Sequence, residues 1–383
     1  MNFPRDLRTS ALLLAASAFI VPAYGLIVFN DGHDHVYVTG TATITNDSNI
    51  FGNNLDERDT LYTMSLLGEY SRRAGWIGVD ARLGLESTRF GDHQTENFDN
   101  PKFSAELTKL SGRTTGSLTL NVERENRADP TVNVRTDSWV YGAGVNAKYP
   151  VIDRYTLSGG VSYSLTDYTD NRAFADQRSF GASADLFYVL RHDRDLVAGY
   201  RYRDNWSSVN TGSFDHAFTV GVNGMIVRGY SGSARFGYQY RVPKHGLDST
   251  FGAWTGSATV GHNFTKRLTM NAQVSKDFST TATNIDIDRT TLSTDFQHSF
   301  NARWNIHGGV GYGYARFLGK AGILPVIGLS RRDTSLNANV GVGYTKSEHL
   351  KVRLDYTWAE NWSTLQYSDF IRQSWSLSVT SRW

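Results

Sequence analysis

The chain has 383 residues, no cysteine, 36 glycines, 7 prolines, 13% aromatic residues and a formal charge of +2 from 39 basic and 37 acidic side chains. The even charge balance lacks the electrostatic footprint of a nucleic-acid-binding protein, and the missing cysteines exclude disulfide frameworks, thiolate zinc sites and thiol nucleophiles. The apolar share of 40% excludes a disordered chain and is enough to bury a core, whether in two domains or in one large one.

From the start, Arg5 and Arg8 precede an apolar stretch from Ala11 to Val21, and small residues Ala23 and Gly25 close the segment. This is the layout of a secretory signal peptide over residues 1–25, too short for a membrane anchor, which needs about 20 apolar residues. His33 and His35 follow beside Asp31 and Asp34. With no further ligand nearby they read as a polar tail and not as a metal chelate.

Beyond them the period is two. Ile77, Val79, Ala81, Leu83 and Leu85 share one face, while Asp80, Arg82 and Glu86 share the other. Trp139, Tyr141, Ala143, Val145, Ala147 and Tyr149 alternate with Gly142, Gly144, Asn146 and Lys148. Tyr155 to Leu165, Phe180 to Leu190, Leu336 to Tyr344 and Leu350 to Trp358 repeat the pattern. About 18 such segments (range 16 to 18) fill residues 26–383. Short polar turns fall at Ser71–Gly75, Pro150–Arg154, Arg191–Arg194, Phe264–Arg267 and Thr345–His349. Longer Asn-, Asp- and Gly-rich loops fall between them, at Asn46–Asp59, Phe90–Pro101, Arg124–Val134, Asp167–Gln177, Asp204–Ser213 and Phe317–Asp333.

Short turns alternating with long loops define an all-β fold of the transmembrane type, an antiparallel up-and-down barrel lodged in a bacterial outer membrane. A soluble propeller or sandwich fits less well. Trp76, Tyr141, Tyr149, Trp254, Trp304 and Trp358 stand at the ends of apolar faces, where interfacial girdles belong. The expected surroundings are outer-membrane lipid and lipopolysaccharide.

The chain ends Ser374-Trp375-Ser376-Leu377-Ser378-Val379-Thr380-Ser381-Arg382-Trp383. This resembles the C-terminal strand by which the barrel-assembly machinery recognises outer-membrane proteins, with Trp375, Leu377, Val379 and Trp383 as the outward signal. Ser381 departs from it, standing where an apolar residue is usual. The whole mature chain is similar to outer-membrane β-barrel porins encoded with exopolysaccharide biosynthesis systems, on its size, its lack of a plug and its first-loop segment Thr45-Asn46-Asp47-Ser48-Asn49-Ile50. That resemblance implies passage of a surface glycan, with periplasmic export components as partners. Passage of exopolysaccharide or another surface glycan is therefore the first reading, and a general diffusion porin for small hydrophilic solutes, suited by the mixed, hydrated lumen face, is the runner-up. A structural or enzymatic barrel is the remaining alternative.

Serine-hydrolase elbows, zincin helices, Walker loops and dinucleotide fingerprints are all missing, so no enzyme activity and no cofactor is expected. His216, His262, His298 and His307 each stand alone in or beside strands and read as structural or interfacial. Candidate pore-lining charges lie opposite the apolar faces: Asp80, Arg82, Glu86, Glu106 and Glu123 on one stretch, Arg201, Arg203, Asp215, Arg235 and Arg241 on another, then Lys351, Arg353 and Asp355. Two readings stand open. Either an acidic wall faces a basic one and sets up a transverse field, or the charges pair with strand neighbours and hydrate the wall. The apolar run Gly322 to Leu329, between Lys320 and Arg331 and Arg332, is expected to fold into the lumen as a constriction, pack on a neighbouring loop, touch a partner or merely extend the adjoining strands.

Overall fold

The structure, a computed structural model, describes residues 27–109, 111–169, 174–244, 250–318 and 331–383. The leader at 1–25 and the apolar run Gly322–Leu329 lie outside them. Nineteen strands follow in chain order: β1 (Ile27–Phe29), β2 (Asp34–Asp47), β3 (Asp59–Arg72), β4 (Ile77–Phe90), β5 (Phe98–Lys109), β6 (Thr115–Asp129), β7 (Val134–Ile152), β8 (Tyr155–Tyr168), β9 (Gln177–Arg191), β10 (Arg194–Ser207), β11 (Gly212–Val227), β12 (Tyr230–Pro243), β13 (Phe251–Asn263), β14 (Leu268–Thr280), β15 (Asp286–Ser299), β16 (Trp304–Phe317), β17 (Arg332–Thr345), β18 (Leu350–Ser363) and β19 (Phe370–Arg382).

Each strand from β2 to β19 pairs antiparallel with the next, and β19 returns to β2, with Ser374 opposite Asp47 and Arg382 opposite Thr39. Eighteen strands therefore close one barrel, as the alternation predicts. Closure leaves no free edge strand, so backbone N–H and C=O groups are satisfied along the ladders where no water can reach them. The short β1 pairs Ile27 with Val36 and Phe29 with Asp34, beyond the end of β19. His33 and His35 thus belong to a hairpin and not to a polar tail. Asp34 anchors it, accepting hydrogen bonds from Asn30 Nδ2 (3.0 Å) and the Tyr70 hydroxyl (3.1 Å).

Two-residue side-chain alternation sorts every strand into an outer and an inner face. Outward residues include Leu83 at 67% exposure, Val220 at 65% and Val310 at 56%, values that in water would mark a failed core. Here they form a continuous apolar belt. Trp76, Tyr149, Phe264 and Trp304 ring it near the short turns, and Trp206, Trp254, Trp362 and Trp375 ring it near the long loops. Short turns such as Arg228-Gly229 require positive φ, and Gly229 adopts +86° at little steric cost.

Several segments that the sequence reading assigns to loops are strand. Phe98–Pro101 begins β5, Arg124–Asp129 ends β6, and Asp204–Ser207 ends β10. These ends project past the lipid, where neither face needs apolar residues, so the alternation that marks a strand fades before the strand does.

Candidate functional site in the lumen

The lumen face of β14 to β18 is built from carboxamides laid over glycines. Register sets Gly309 opposite both Asp295 and Asn339, Gly311 opposite Asn337, and Gly343 opposite Asn305. A Cβ at Gly309 would lie 2.7 Å from Asn339 Oδ1, and one at Gly343 would lie 2.7 Å from Asn305 Oδ1. The absent side chains are what let these amides lie flat against the backbone, which widens the channel and keeps the wall polar. Across the barrel, Asn146 lies over Gly160 in the same way. Asn271, Gln297, Asn305, Asn337 and Asn339 make no side-chain hydrogen bond to another described residue, so their donors and acceptors face the lumen. Together with Thr269, His307 and Arg353 most of them line a concavity of about 460 Å³. Beside it, hydroxyl pairs at the closing seam (Thr41 with Thr380, Thr43 with Ser378, Thr45 with Ser376) make the wall there neutral.

The candidate charges sit on this inner face, and most are compensated. Arg201 reaches Asp277 at 2.8 Å, and Arg203 reaches Asp277 at 2.9 Å and Asp215 at 3.0 Å. Arg235 pairs with Asp185 at 2.7 Å, and Arg241 bridges Asp215 and Asp286, both at 2.6 Å. Four arginines thus meet four aspartates, and the expected basic wall carries no net charge. The transverse field loses its positive side; pairing is the arrangement present. Opposite, Asp80 pairs with Arg73 (2.7 Å) and Arg82 with Glu69 (3.3 Å), while Glu86 and Glu123 have no ion pair among the described residues. Glu106 lies 3.5 Å from the Thr108 hydroxyl. Lys351 lines the concavity, and Arg353 and Asp355 pair at 3.0 Å, both touching His307 Nε2 (2.7 and 2.8 Å).

Sequence reasoning missed Asp185, Asp277 and Asp286, which complete the arginine network. Their pattern was visible, since Asp277 and Asp286 flank a Thr- and Asn-rich turn, but their partners lie three or four strands away. Contact over that span requires the wall to fold inward, and it does. Pairing of β13 with β14 stops at Gly256 and Lys276, leaving Phe251–Thr255 and Asp277–Thr280 unpaired with each other. The freed top of the β14–β15 hairpin leans into the lumen. Arg241 donates to Ser279 O (3.2 Å), Ala175 N–H to Ala282 O (3.0 Å), and Asn284 Nδ2 to the Thr211 hydroxyl (2.6 Å); Gln177 also donates to Thr281 O. Phe278, on the outward parity of β14, is buried at 2% exposure with the Arg241 guanidinium 5.3 Å over its ring.

A second hairpin crosses the mouth from the other side. Pairing of β5 with β6 begins only at Lys102 and Glu123, just past Pro101, which has no N–H to offer. The β6–β7 tip then reaches over the opening, where Arg331, clamped on Asp333 at 2.6 Å, donates to Thr131 O (2.7 Å) and Pro130 O (3.2 Å). Asn133 donates to Ser368 Oγ (2.9 Å), and Arg135 to Ile50 O (3.4 Å). Ile50 and Asn49 of the β2–β3 loop are fully buried beneath it. That loop is tied to the next by His93, whose ring nitrogens lie 3.0 Å from Asp59 and 3.0 Å from Glu57. The hydrogen bond to the Asp59 carboxylate, with that to Glu57, raises the His93 pKa above the ordinary histidine range despite partial burial.

Of the four histidines singled out in the sequence, three face outward. His216 Nδ1 is 2.8 Å from the Tyr200 hydroxyl, His262 stacks on Tyr230 at 4.1 Å, and His298 meets Phe300 edge-on. His307 faces the lumen. Trp375, Leu377 and Val379 are outward, while the Trp383 indole stacks on His349 and donates to Ser381 Oγ at 2.7 Å. The unusual serine near the C-terminus therefore holds the terminal ring. No group of three His, Asp or Glu among the described residues could hold a metal ion.

A closed barrel of 18 antiparallel strands, apolar and aromatic-belted outside and polar inside, is the architecture of a transmembrane β-barrel. Residues 227–382 match the outer membrane protein beta-barrel domain family. No curated protein matches the chain. Among solved structures, OccK2 (OpdF) of Pseudomonas aeruginosa in complex with glucuronate aligns with a TM-score of 0.51 and 11% identity, over 93% of this chain and 99% of that one. OpdO of the same organism aligns with a TM-score of 0.50 and 13% identity, over 91% and 97%. At such identities the likeness is one of fold.

Proposed function

We propose that this chain is a diffusion channel for small hydrophilic solutes across the outer membrane. The observation that carries this reading is the inner wall of β14 to β18 and the closing seam, where amides lie flat over glycines, hydroxyls pair across the seam and most charges are paired. Such a surface offers many weak hydrogen bonds and no strong trap, which lets a hydrated solute enter and leave. OccK2 binds glucuronate in its solved complex, a small hydroxylated solute, and its shared fold supports the same size class here. Nothing in the comparisons speaks for the surface-glycan passage or the periplasmic export partners that the sequence resemblance implied. The C-terminal aromatic strand supports insertion by the barrel-assembly machinery into a membrane of phospholipid and lipopolysaccharide.

The test is uptake by liposomes carrying the refolded mature barrel, with neutral sugars and sugar acids of graded size. Expected is entry of monosaccharides that falls steeply with size. Equal entry of long glycan chains would overturn the small-solute reading in favour of polymer passage, and exclusion of every solute would overturn the channel.

A further inference from the structure

We propose that the top of the β14–β15 hairpin is a displaceable gate, with the free edge of β13 as its seat in the open state. This rests on the channel reading above. Three observations point to two positions for one segment. First, Phe251–Thr255 is paired with β12 on one side, and on the other presents a backbone edge with no partner strand among the described residues, beside the outer aromatic ring, where Trp254 stands 59% exposed and stacks on Phe236 at 5.2 Å. An open edge at that level leaves peptide groups unsatisfied, so it favours a partner strand.

Second, the displaced segment has the right pattern to be that partner. Extending the register past Gly256 and Lys276 sets Thr255 opposite Asp277, Trp254 opposite Phe278 and Ala253 opposite Ser279. Phe278 would then point outward beside Trp254 in the aromatic ring, and Asp277 and Ser279 would point to the lumen. An outward aromatic folded into the lumen is out of place for its parity; zipped, it is in place.

Third, the β15–β16 ladder continues up to Ile287 and Phe317, but on the β13 side the inward position is held by a latch of side chains and one backbone hydrogen bond instead of a ladder. Asp277 is gripped by Arg201 and Arg203, Asp286 by Arg241, and the tip by Asn284 on Thr211 and by the Ala175–Ala282 backbone hydrogen bond. These contacts span β10 and β12 to β15 across the lumen, so the latched hairpin narrows the pore. Zipping it onto β13 would clear that space and free Arg201, Arg203 and Arg241 to meet a solute.

The chain has no cysteine, so paired cysteines can trap each position alone. Ala253→Cys with Ser279→Cys joins β13 to β14 in the zipped register. Ala175→Cys with Ala282→Cys staples the latched tip, where a direct backbone hydrogen bond holds the two residues within disulfide reach. Folded barrels, selected by heat-modifiable electrophoretic mobility, are measured in planar bilayers before and after oxidation. Expected is a several-fold rise in conductance when the Ala253–Ser279 pair oxidises, a fixed low conductance when the Ala175–Ala282 pair oxidises, and reversal of both by reductant. As an independent arm, Asp277→Asn with Asp286→Asn removes the latch and raises conductance without any cross-link. Failure of the Ala253–Ser279 pair to cross-link in folded barrels, or equal conductance in every state of a conducting barrel, overturns the gate alone. Absence of conductance in all variants, the zipped one included, overturns the channel reading as well.

Discussion

Replacing Arg241 by methionine keeps most of the side chain's length and apolar stem but deletes the guanidinium that joins three elements. Arg241 is 1% exposed and contacts Asp215 twice (2.6 and 2.8 Å), Asp286 (2.6 Å), Ser279 O and the Thr280 hydroxyl. Removing one partner of a buried ion pair costs about 3–5 kcal/mol, because the remaining charge stays desolvated. Asp215 keeps Arg203 at 3.0 Å and Asn205 at 3.0 Å, and Asp286 keeps the Thr280 hydroxyl, so the lower end of that range, about 3 kcal/mol, applies here. The control is Arg353→Met, whose pair with Asp355 has a half-exposed arginine and is worth about 0.2–1 kcal/mol. Urea unfolding of both variants in lipid vesicles, followed by tryptophan fluorescence, reads the two losses side by side. A loss below about 1 kcal/mol for Arg241→Met would refute the claim that this cluster holds the inward wall, since it would equal a surface pair.

Ion selectivity separates paired from free charge. Arg235→Gln alone leaves Asp185 uncompensated and is expected to shift the reversal potential toward cations, whereas Arg235→Gln with Asp185→Asn restores the wild-type value; two equal shifts would contradict the pairing. Gly309→Val should lift Asn339 and Asp295 off the wall and lower single-channel conductance, read against Val310→Ala on the outer face, which should leave it unchanged. Ser381→Ala removes the acceptor of the Trp383 indole and is expected to cost about 1 kcal/mol in the same unfolding assay. For His93 the folded pKa lies above the ordinary value, so its protonated bridge contributes fully below about pH 6 and is lost as pH rises through the raised value. The stability gap between the wild type and His93→Gln should therefore be widest in acid and shrink on the alkaline side, checked by unfolding from pH 5 to 9.

Strand count, barrel closure and the outward face were legible because lipid imposes one rule on every strand it touches. Ile77 to Leu85 and Tyr141 to Tyr149 obey it without interruption. Legibility ended at the membrane surface. The tops of β6 and β10 carry no apolar alternation and read as loops, although their hydrogen-bonded ladders continue. Inside the barrel the inner face was recognisable only as polar. Which arginine meets which aspartate depends on register summed over three or four strands and on how sharply the wall bends, and neither quantity is written locally. His93 was invisible for the same reason, since Glu57 and Asp59 lie more than thirty residues away and come together only once two loops dock.

Phe278 shows how the two kinds of information can disagree and what the disagreement means. Its parity in Lys276-Asp277-Phe278-Ser279 marks it for the lipid interface, and its neighbour Asp277 for the lumen. Asp277 does face the arginines, yet Phe278 lies buried inside with Arg241 over its ring. A segment whose residues are patterned for one position and found in another is held there by something stronger than its own alternation. In this barrel that agent is a set of ion pairs, and ion pairs respond to solutes that carry charge. A carboxylate entering the mouth competes with Asp277 and Asp286 for Arg201, Arg203 and Arg241, whereas a neutral sugar does not. If the latch works in this way, millimolar sugar acid should raise the open probability of the wild-type channel while the matching neutral sugar leaves it unchanged, and the Asp277→Asn, Asp286→Asn barrel should respond to neither. Equal responses to both solutes in the wild type would mean that the arginines hold the hairpin without sensing what passes.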